Sequence, residues 1–116
     1  NMIETVNEHR FKDAFQQLRP DNFTYEGLGT LFTQLEEFEE ATDSPMELDV
    51  IALCCEFTEY ENIGEFWLDY GGEDAMEEYP DIEAIEAHTM VFRIPERLDR
   101  NTLKYVESES FIIQQF

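Results

Sequence analysis

Residues Leu48 to Phe57 read LDVIALCCEF, and apolar side chains occupy both alternating faces of this stretch. Turn residues precede it at Asp43, Ser44 and Pro45. A short apolar run with turn residues before it is typical of a strand that is buried on both faces. The sequence therefore predicts that Leu48 to Phe57 is the central strand of a sheet, around which the other elements pack.

Two amphipathic helices are predicted before this strand. Thr5 and Glu8 form a T-x-x-E capping box for the first helix, which Pro20 closes. Thr24 is predicted to cap the second helix, with Phe23 before it as part of a hydrophobic staple. The apolar stripe of the second helix consists of Leu28, Leu31, Phe32, Leu35 and Phe38. This spacing buries one face of the helix and leaves the opposite face to solvent.

Two glycines and a group of acids mark the ends of the second helix. Gly27 and Gly29 each weaken its first turns by about 1 kcal/mol relative to Ala, so we expect them to let another backbone come close. Four Glu between Glu36 and Glu40 lie at the C-terminal end, where negative charge opposes the helix macrodipole. This placement is unfavourable for stability, which favours a functional role for the charges.

Shorter elements follow the predicted strand. Asn62 is predicted to cap a third helix that ends at Gly71. The acidic residues from Glu73 to Glu78 are predicted to form an exposed loop or a loose turn. A fourth helix is predicted from near Asp81 to His88, whose position at the C-terminal end suits the helix dipole.

Further strands are predicted at Met90 to Ile94, Leu103 to Val106 and Phe111 to Phe116. Pro95 ends the first of them. Strands that are joined by helices and long connections are typical of the α+β class. We therefore predict one acidic α+β domain over residues 2–116, with a small antiparallel sheet of three to four strands and about four helices packed mainly on one face.

The charge distribution is strongly one-sided. The net charge is −21, and the segment from Pro20 to Phe92 contains 21 Asp and Glu but no Lys or Arg. Ten Phe, five Tyr and one Trp give the chain enough apolar surface to fold despite that charge. Such a field repels nucleic-acid phosphates and anionic membranes, so a basic protein is the expected partner. A solvated acidic face that only maintains solubility is the alternative.

Residues suited to catalysis or metal binding are sparse. The two histidines, His9 and His88, do not lie in a nucleophile motif, and the sequence has no Gly-rich phosphate loop. Cys54 and Cys55 are adjacent rather than spaced as metal ligands, and we predict buried thiols there. An EF-hand loop starting at Asp69 fails because its sixth position is not Gly. We therefore expect no enzymatic activity, no cofactor and no metal site.

Rows of carboxylates are the remaining functional feature. On a helix, side chains three or four residues apart lie about 5–6 Å from each other at Cβ, so acids in such rows imitate phosphates towards a DNA-binding protein. The residues predicted to contact the partner are Glu36, Glu37, Glu39, Glu40, Glu56, Glu59, Glu61, Glu65, Asp69, Glu73, Asp74, Glu77 and Glu78. A second hypothesis is a modulator that binds a host protein through an aromatic patch at Trp67, Tyr70 and Tyr79, with the acids serving solubility only. Trp67 is also a candidate core residue.

No apolar run reaches the length of about 18 residues that a membrane span needs. We therefore expect a cytoplasmic protein without a membrane partner. Monomer and dimer both stay open as oligomeric states. A small enzyme, with a cleft that one sequence does not reveal, is a third hypothesis.

Four segments read FTYEGLGTLFTQLEEFEEAT, ELDVIALCCEFTEYENIGEFWLDYG, DIEAIEAHTMV and SFIIQQF, and they span Asn22 to Phe116 discontinuously. In these segments the chain resembles a family of small acidic proteins of unassigned function from phages and other mobile elements. LDVIALCCEFTEY and the closing FIIQ motif are the most specific parts of the resemblance. The connection from Arg93 to Lys104 is longer here than in those relatives.

The resemblance implies a bacteriophage origin. Phage-borne acidic proteins include DNA mimics that block restriction enzymes or CRISPR effectors, and this chain is similar to them in charge. The resemblance therefore implies an anti-CRISPR or anti-restriction inhibitor. Such a protein acts in the cytoplasm of the bacterial host, on a basic nucleic-acid-binding protein.

Overall fold

The structure, a computed structural model, describes residues 7–116. The helices are α1 (Glu8–Leu18), α2 (Tyr25–Thr42), α3 (Val50–Glu56), α4 (Ile63–Tyr70), α5 (Glu73–Glu78) and α6 (Ile82–Glu86). The strands are β1 (Phe57–Tyr60), β2 (Val91–Arg93), β3 (Glu96–Asp99), β4 (Lys104–Glu107) and β5 (Phe111–Gln114). This combination confirms the predicted α+β class.

The strands form two antiparallel sheets. In the three-stranded sheet the order is β1-β5-β2, so the C-terminal strand is the central one. Ile112 of β5 lies opposite Glu59 of β1 on one side and Phe92 of β2 on the other. Strands β3 and β4 form a separate hairpin.

Helices cover both faces of the three-stranded sheet. Phe92 and Ile112 belong to one hydrophobic cluster, which contains residues of α1, α2 and α3. Phe111 and Ile113 belong to a second cluster, which contains residues of α4, α5 and α6. We call α1–α3 the first layer and α4–α6 the second layer. The prediction that helices pack mainly on one face is therefore wrong, because alternate side chains of β5 are buried on opposite faces.

The stretch Leu48 to Phe57 is not the central strand. Val50–Glu56 is the helix α3, and Phe57 begins β1, which lies at an edge of the sheet. Asp49 starts the helix, because its Oδ1 accepts a hydrogen bond from the backbone N–H of Ala52 at 3.0 Å. Short apolar runs do not distinguish a strand from a buried helix, and here the N-cap decides for the helix.

The helical conformation also corrects the prediction of two buried thiols. Successive residues of an α-helix point about 100° apart, so Cys54 and Cys55 face different surroundings. Cys54 is half-buried and Cys55 is exposed. Neither forms a disulfide.

Three predicted helix starts are confirmed. The side chains of Thr24, Asn62 and Asp81 each accept a backbone N–H in the first turn of α2, α4 and α6. The first helix begins at Glu8, and its cap is Asn7, whose Oδ1 accepts the N–H of Arg10. The predicted cap Thr5 lies outside the described residues.

The acidic stretch that was predicted to be a loop is the helix α5. Gly71 and Gly72 separate it from α4, with φ angles of 123° and 69° that favour glycine. The N–H of Gly72 donates to the carbonyl of Trp67 at 2.7 Å, which closes α4. Glu73 and Asp74 then start α5 without a side-chain cap, although their charges suit a helix N-terminus.

The last third of the chain follows the prediction with two changes. Strands β2 and β5 lie within stretches predicted as strands, β4 extends one residue beyond the predicted Leu103 to Val106, and β3 was not predicted. Helix α6 ends at Glu86, so the exposed His88 lies beyond it rather than at its end.

Candidate acidic binding surface

Helix α5 carries a compact row of exposed carboxylates. The α5 row consists of Glu73, Asp74, Glu77 and Glu78, and all four side chains are exposed. Glu73 with Glu77, and Asp74 with Glu78, are i,i+4 pairs, so each pair lies on one side of the helix. Because these acids lie outside the core cluster of the second layer, they face solvent.

The preceding helix, α4, carries two more exposed acids, and neighbouring groups orient both of them. Asp69 accepts a hydrogen bond from the hydroxyl of Tyr60 at 2.6 Å. Glu65 accepts the backbone N–H of Glu61 at 2.7 Å. Burial, together with the hydrogen bond to Asp69, raises the pKa of Tyr60, so its hydroxyl stays a proton donor. The second-layer acidic surface is therefore defined as Glu65, Asp69 and the α5 row.

The four Glu residues at the end of α2 differ in how far they are buried. Glu37 and Glu40 are exposed, Glu36 is half-buried, and Glu39 is buried with 3% of its surface exposed. Glu39 Oε2 accepts the backbone N–H of Met46 at 2.6 Å, which fixes the chain after α2. Glu39 is thus a structural carboxylate, and its predicted contact with a partner does not fit its position.

The apolar stripe predicted for α2 is wrong at one position, Phe38, and Glu39 is buried in its place. Leu28, Leu31, Phe32 and Leu35 are buried as predicted, but 46% of Phe38 is exposed. Glu39 follows Leu35 by four residues and therefore occupies the next core-facing position, whereas Phe38 is turned away. The sequence signal for this exchange was the i+4 spacing from Leu35 to Glu39.

Glu59 is a second structural carboxylate. Its Oε1 accepts the backbone N–H of Thr24 at 3.0 Å, and its Oε2 accepts the Thr24 hydroxyl at 2.8 Å. A Cβ atom at Gly27 would overlap with Glu59 Oε1, so glycine is required for this approach. The close neighbour predicted at Gly27 is therefore a carboxylate and not a backbone. Close to Gly29 lies the side chain of Lys12.

The protonation of Glu59 reflects this burial. Loss of solvent raises the pKa of Glu59 above its usual range, and the charges of Glu26 and Glu65 act in the same direction. The two hydrogen bonds from Thr24 oppose the shift without cancelling it. A carboxyl with a raised pKa beside a cleft is a candidate for a functional group.

The cleft beside Glu59 has a volume of about 530 Å³. Its acids are Asp21, Glu26, Glu59, Glu61 and Glu65. Arg97 is the cation in the lining, and neither described histidine belongs to it. No group of three or more His, Cys, Asp or Glu among residues 7–116 is placed to hold a metal ion. The cleft therefore brings Glu59, Glu61 and Glu65 together as a concentration of charge, and the hydroxyl groups of Thr24 and Ser110 also belong to its lining.

The predicted contact residues therefore do not form one surface. Glu37, Glu40 and Glu56 are exposed on the first layer, and the α5 row is exposed on the second layer. The three-stranded sheet lies between these layers. The second-layer acidic surface and the cleft adjoin through Glu65, which belongs to both.

Positive charges are scarce near the second layer. Helices α4, α5 and α6 contain no Lys or Arg. Arg93 of β2 reaches α6, where its Nη2 lies 3.1 Å from Glu83 and 3.3 Å from Glu86. In the first layer, Lys12 pairs with Glu8 at 2.9 Å. Helices α2 and α3 contain no Lys or Arg either, so the α5 row differs from the acids of α2 in the exposure of all its members and not in a lack of cations.

The aromatic residues of the second hypothesis belong to the core of the second layer. Trp67 Nε1 donates to the carbonyl oxygen of Tyr79 at 2.8 Å, and only 9% of Tyr79 is exposed. Tyr70 stacks on Phe66 and on Phe116, with ring centroids 4.4 and 5.0 Å apart. These rings pack against each other, so they do not form a ready patch for a partner.

Comparisons of the chain with protein-family models, with curated proteins and with solved structures found no match. These comparisons therefore contribute no functional argument. Among the described helices, none combines the length and the apolarity that crossing a bilayer requires.

Proposed function

We propose that this protein is a non-enzymatic inhibitor that occupies the positively charged nucleic-acid channel of a host defence complex. The observation that carries the proposal is the second-layer acidic surface. It holds six exposed carboxylates on two consecutive helices, which contain no Lys or Arg. Each DNA strand carries one phosphate for about every 3.4 Å of helix axis. Carboxylates three or four residues apart on a protein helix have Cβ atoms about 5–6 Å apart, which gives a charge density of the same order.

The rigidity of this surface supports the proposal. Asp69 and Glu65 are held by the hydrogen bonds from Tyr60 and from the backbone of Glu61. The α5 row follows after two glycines and rests on the core through Ala75, which is buried. Carboxylates that are already in place lose less conformational entropy on binding than flexible ones do.

The class of target follows from charge and from the resemblance to phage proteins. A surface this negative is attracted to proteins that bind nucleic acid, and it is repelled by nucleic acid itself. Restriction enzymes and CRISPR effectors are the basic, nucleic-acid-binding proteins that a phage needs to block. We therefore place the proposed activity in the cytoplasm of a bacterial host.

A cleavage assay tests the proposal with two variants of equal charge. The first variant replaces the α5 row by Glu73→Gln, Asp74→Asn, Glu77→Gln and Glu78→Gln. The control variant replaces four exposed acids outside the second layer and outside the predicted contact residues, by Asp13→Asn, Glu47→Gln, Glu96→Gln and Glu107→Gln. DNA cleavage by a panel of restriction enzymes and CRISPR effectors is measured with each protein, at low and at high salt.

We expect the wild-type protein to inhibit at least one of these nucleases, and the inhibition to weaken steeply with salt. The α5 variant should lose inhibition by about tenfold or more, as several charges act together, and the control variant should lose much less. Equal losses would mean that total charge matters rather than this surface. Absence of inhibition across the panel, or inhibition that is indifferent to salt, would refute the proposal.

A further inference from the structure

An apolar groove of about 290 Å³ opens between α2 and one end of the three-stranded sheet. Its apolar lining includes Phe38, Met46, Phe57 and Met90. Phe57 is buried, whereas 46% of Phe38 and 43% of Met90 are exposed. Single exposed apolar residues are common on proteins, but here two of them converge on one concave site.

The size and the lining of the groove indicate what it can hold. Small-molecule sites usually occupy about 300–1,000 Å³, so this groove is at the lower limit for a cofactor. It is large enough for an apolar side chain. Met46 and Met90 have flexible, polarizable side chains that adapt to irregular apolar partners. The groove therefore suits an apolar anchor residue better than a small molecule.

The rim of the groove is acidic. Glu37 of α2 and Glu56 of α3 both belong to its lining, which includes no Lys, Arg or His. Glu40 lies three residues after Glu37 and is also exposed, so it lies on the neighbouring turn of α2. An apolar residue that enters this groove is therefore favoured when cationic residues flank it. Nucleic acid and anionic lipid are repelled, and so is a second copy of a chain with net charge −21.

We propose that this groove binds a large apolar side chain carried on a Lys- and Arg-rich segment of a protein partner. The inference rests on the proposed function in one respect, because both take the partner to be cationic. It adds a second contact, on the first layer, that depends on apolar burial. A buried apolar anchor within a charged rim is a common form of interface hot spot.

Methyl NMR of the full chain provides an internal control for this site. With ¹³C-labelled Met methyl groups, Met46 and Met90 report on the groove, and the exposed Met76 of α5 reports on the other layer. The probe is a synthetic helical peptide of Lys and Leu. A matched peptide of equal length and charge has each Leu replaced by Ser.

We expect the Lys and Leu peptide to shift the methyl signals of Met46 and Met90 in a saturable way, whereas the shift of Met76, which lies within the α5 row, should depend on charge alone and be equal with the two peptides. The Ser-containing peptide should bind about tenfold more weakly or worse, since it lacks the anchor. Phe38→Ala should weaken binding of the first peptide by about tenfold, and the control Leu68→Ala should leave it unchanged. Leu68 of α4 is 82% exposed, and the groove lining does not include it.

Three results would overturn the inference. They are equal affinities of the two peptides at Met46 and Met90, no effect of Phe38→Ala, or a difference between the two peptides that is as large at Met76 as at Met46 and Met90. Shifts that appear on raising the protein concentration alone would assign the groove to a second copy of the chain. The inhibition assay is independent of these results. Loss of inhibition in the α5 variant, with no role for Phe38, would leave the proposed function standing and remove only the groove.

Discussion

In the first layer carboxylates take part in the packing, whereas in the second layer they lie outside it. Glu39 is buried against the chain that follows α2, and Glu59 is half-buried against the chain that precedes it. The α5 row, in contrast, is exposed along its whole length. Both layers are rich in acids, so the number of acids does not explain the difference.

The position of backbone donors explains it. At the start of α2 the N–H of Thr24 points towards Glu59, and after its end the N–H of Met46 points towards Glu39. A carboxylate that replaces water at such a donor keeps its hydrogen bonds while it is buried. In the second layer Glu65 also accepts a backbone N–H, that of Glu61, but it stays exposed. The first-turn donors of α4 and α6 are satisfied by the caps Asn62 and Asp81, as that of α2 is by Thr24. The two packed carboxylates therefore mark the two ends of α2.

The largest expected effect comes from the aromatic centre of each layer. Phe66 and Phe11 are both fully buried, the first in the second layer and the second in the first layer. Replacing either by Ala should reduce the free energy of unfolding by about 3–5 kcal/mol. Urea denaturation measures this loss.

The same experiment tests whether the layers are one folding unit. Fluorescence of the single Trp, Trp67, reports on the second layer, and far-UV circular dichroism reports on all helices. Because both layers pack on β5, we expect the two signals to change together in both variants. If the fluorescence of Phe66→Ala changes at a lower urea concentration than its circular dichroism does, the two layers unfold separately. The comparison then applies to two independent units.

Sequence reasoning succeeded where a local signal was sufficient. Asn62 and Thr24 were correctly predicted as caps, because a cap is recognised by the side chain and the spacing that follows it. The class of the fold also followed from local patterns. The prediction of a central strand at Leu48 to Phe57 was wrong because a short apolar run fits both a strand and a buried helix. The N-cap Asp49 favours the helix.

The functions of individual acids were not predictable, because they depend on distant partners. Glu59 and Thr24 are 35 residues apart in the chain, and no local pattern joins them. Glu39 is nearer to its donor, yet its burial depends on the path of the chain after α2. The exposure of the α5 row did follow from the sequence, although the row was expected in a loop.

The next effect concerns the two neighbours Glu39 and Glu40. Glu39→Ala leaves the N–H of Met46 without its acceptor and should cost about 2 kcal/mol. The control Glu40→Ala removes an exposed acid of the same charge and should stay within about 0.5 kcal/mol. Thermal and urea denaturation measure both. Equal, small effects would show that Glu39 behaves as a surface acid and would remove one half of the comparison.

A smaller effect is expected at the start of α2. Gly27→Ala places a Cβ atom against Glu59 and should displace it from Thr24, with a net loss of about 1 kcal/mol. Gly29→Ala is the matched control in the same helix. Its Cβ would lie 3.4 Å from Lys12 Nζ, so the gain in helix propensity, up to about 1 kcal/mol, should dominate.

A double variant separates the overlap from other effects of Ala. In the background of Glu59→Ala, Gly27→Ala no longer meets a carboxylate and should become stabilising. If Gly27→Ala destabilises equally in both backgrounds, the glycine is required for another reason, and Glu59 does not determine it.

The smallest effect is the pH dependence that Glu59 contributes. Since burial raises its pKa above the ordinary value of 4.5, the native state holds this proton more tightly than the unfolded chain does. Protonation therefore adds stability that is fully present below pH 4.5, and that contribution is lost as the pH rises through the raised native pKa.

Lowering the pH from neutral towards the native pKa of Glu59 should stabilise the wild-type protein more than Glu59→Gln. The control Glu61→Gln removes an exposed acid from the same cleft and should keep the wild-type slope, because relief of general repulsion is common to all three proteins. Parallel curves for Glu59→Gln and wild type would mean that burial does not raise the pKa of Glu59, and the distinction between packed and displayed carboxylates would then rest on Glu39 alone.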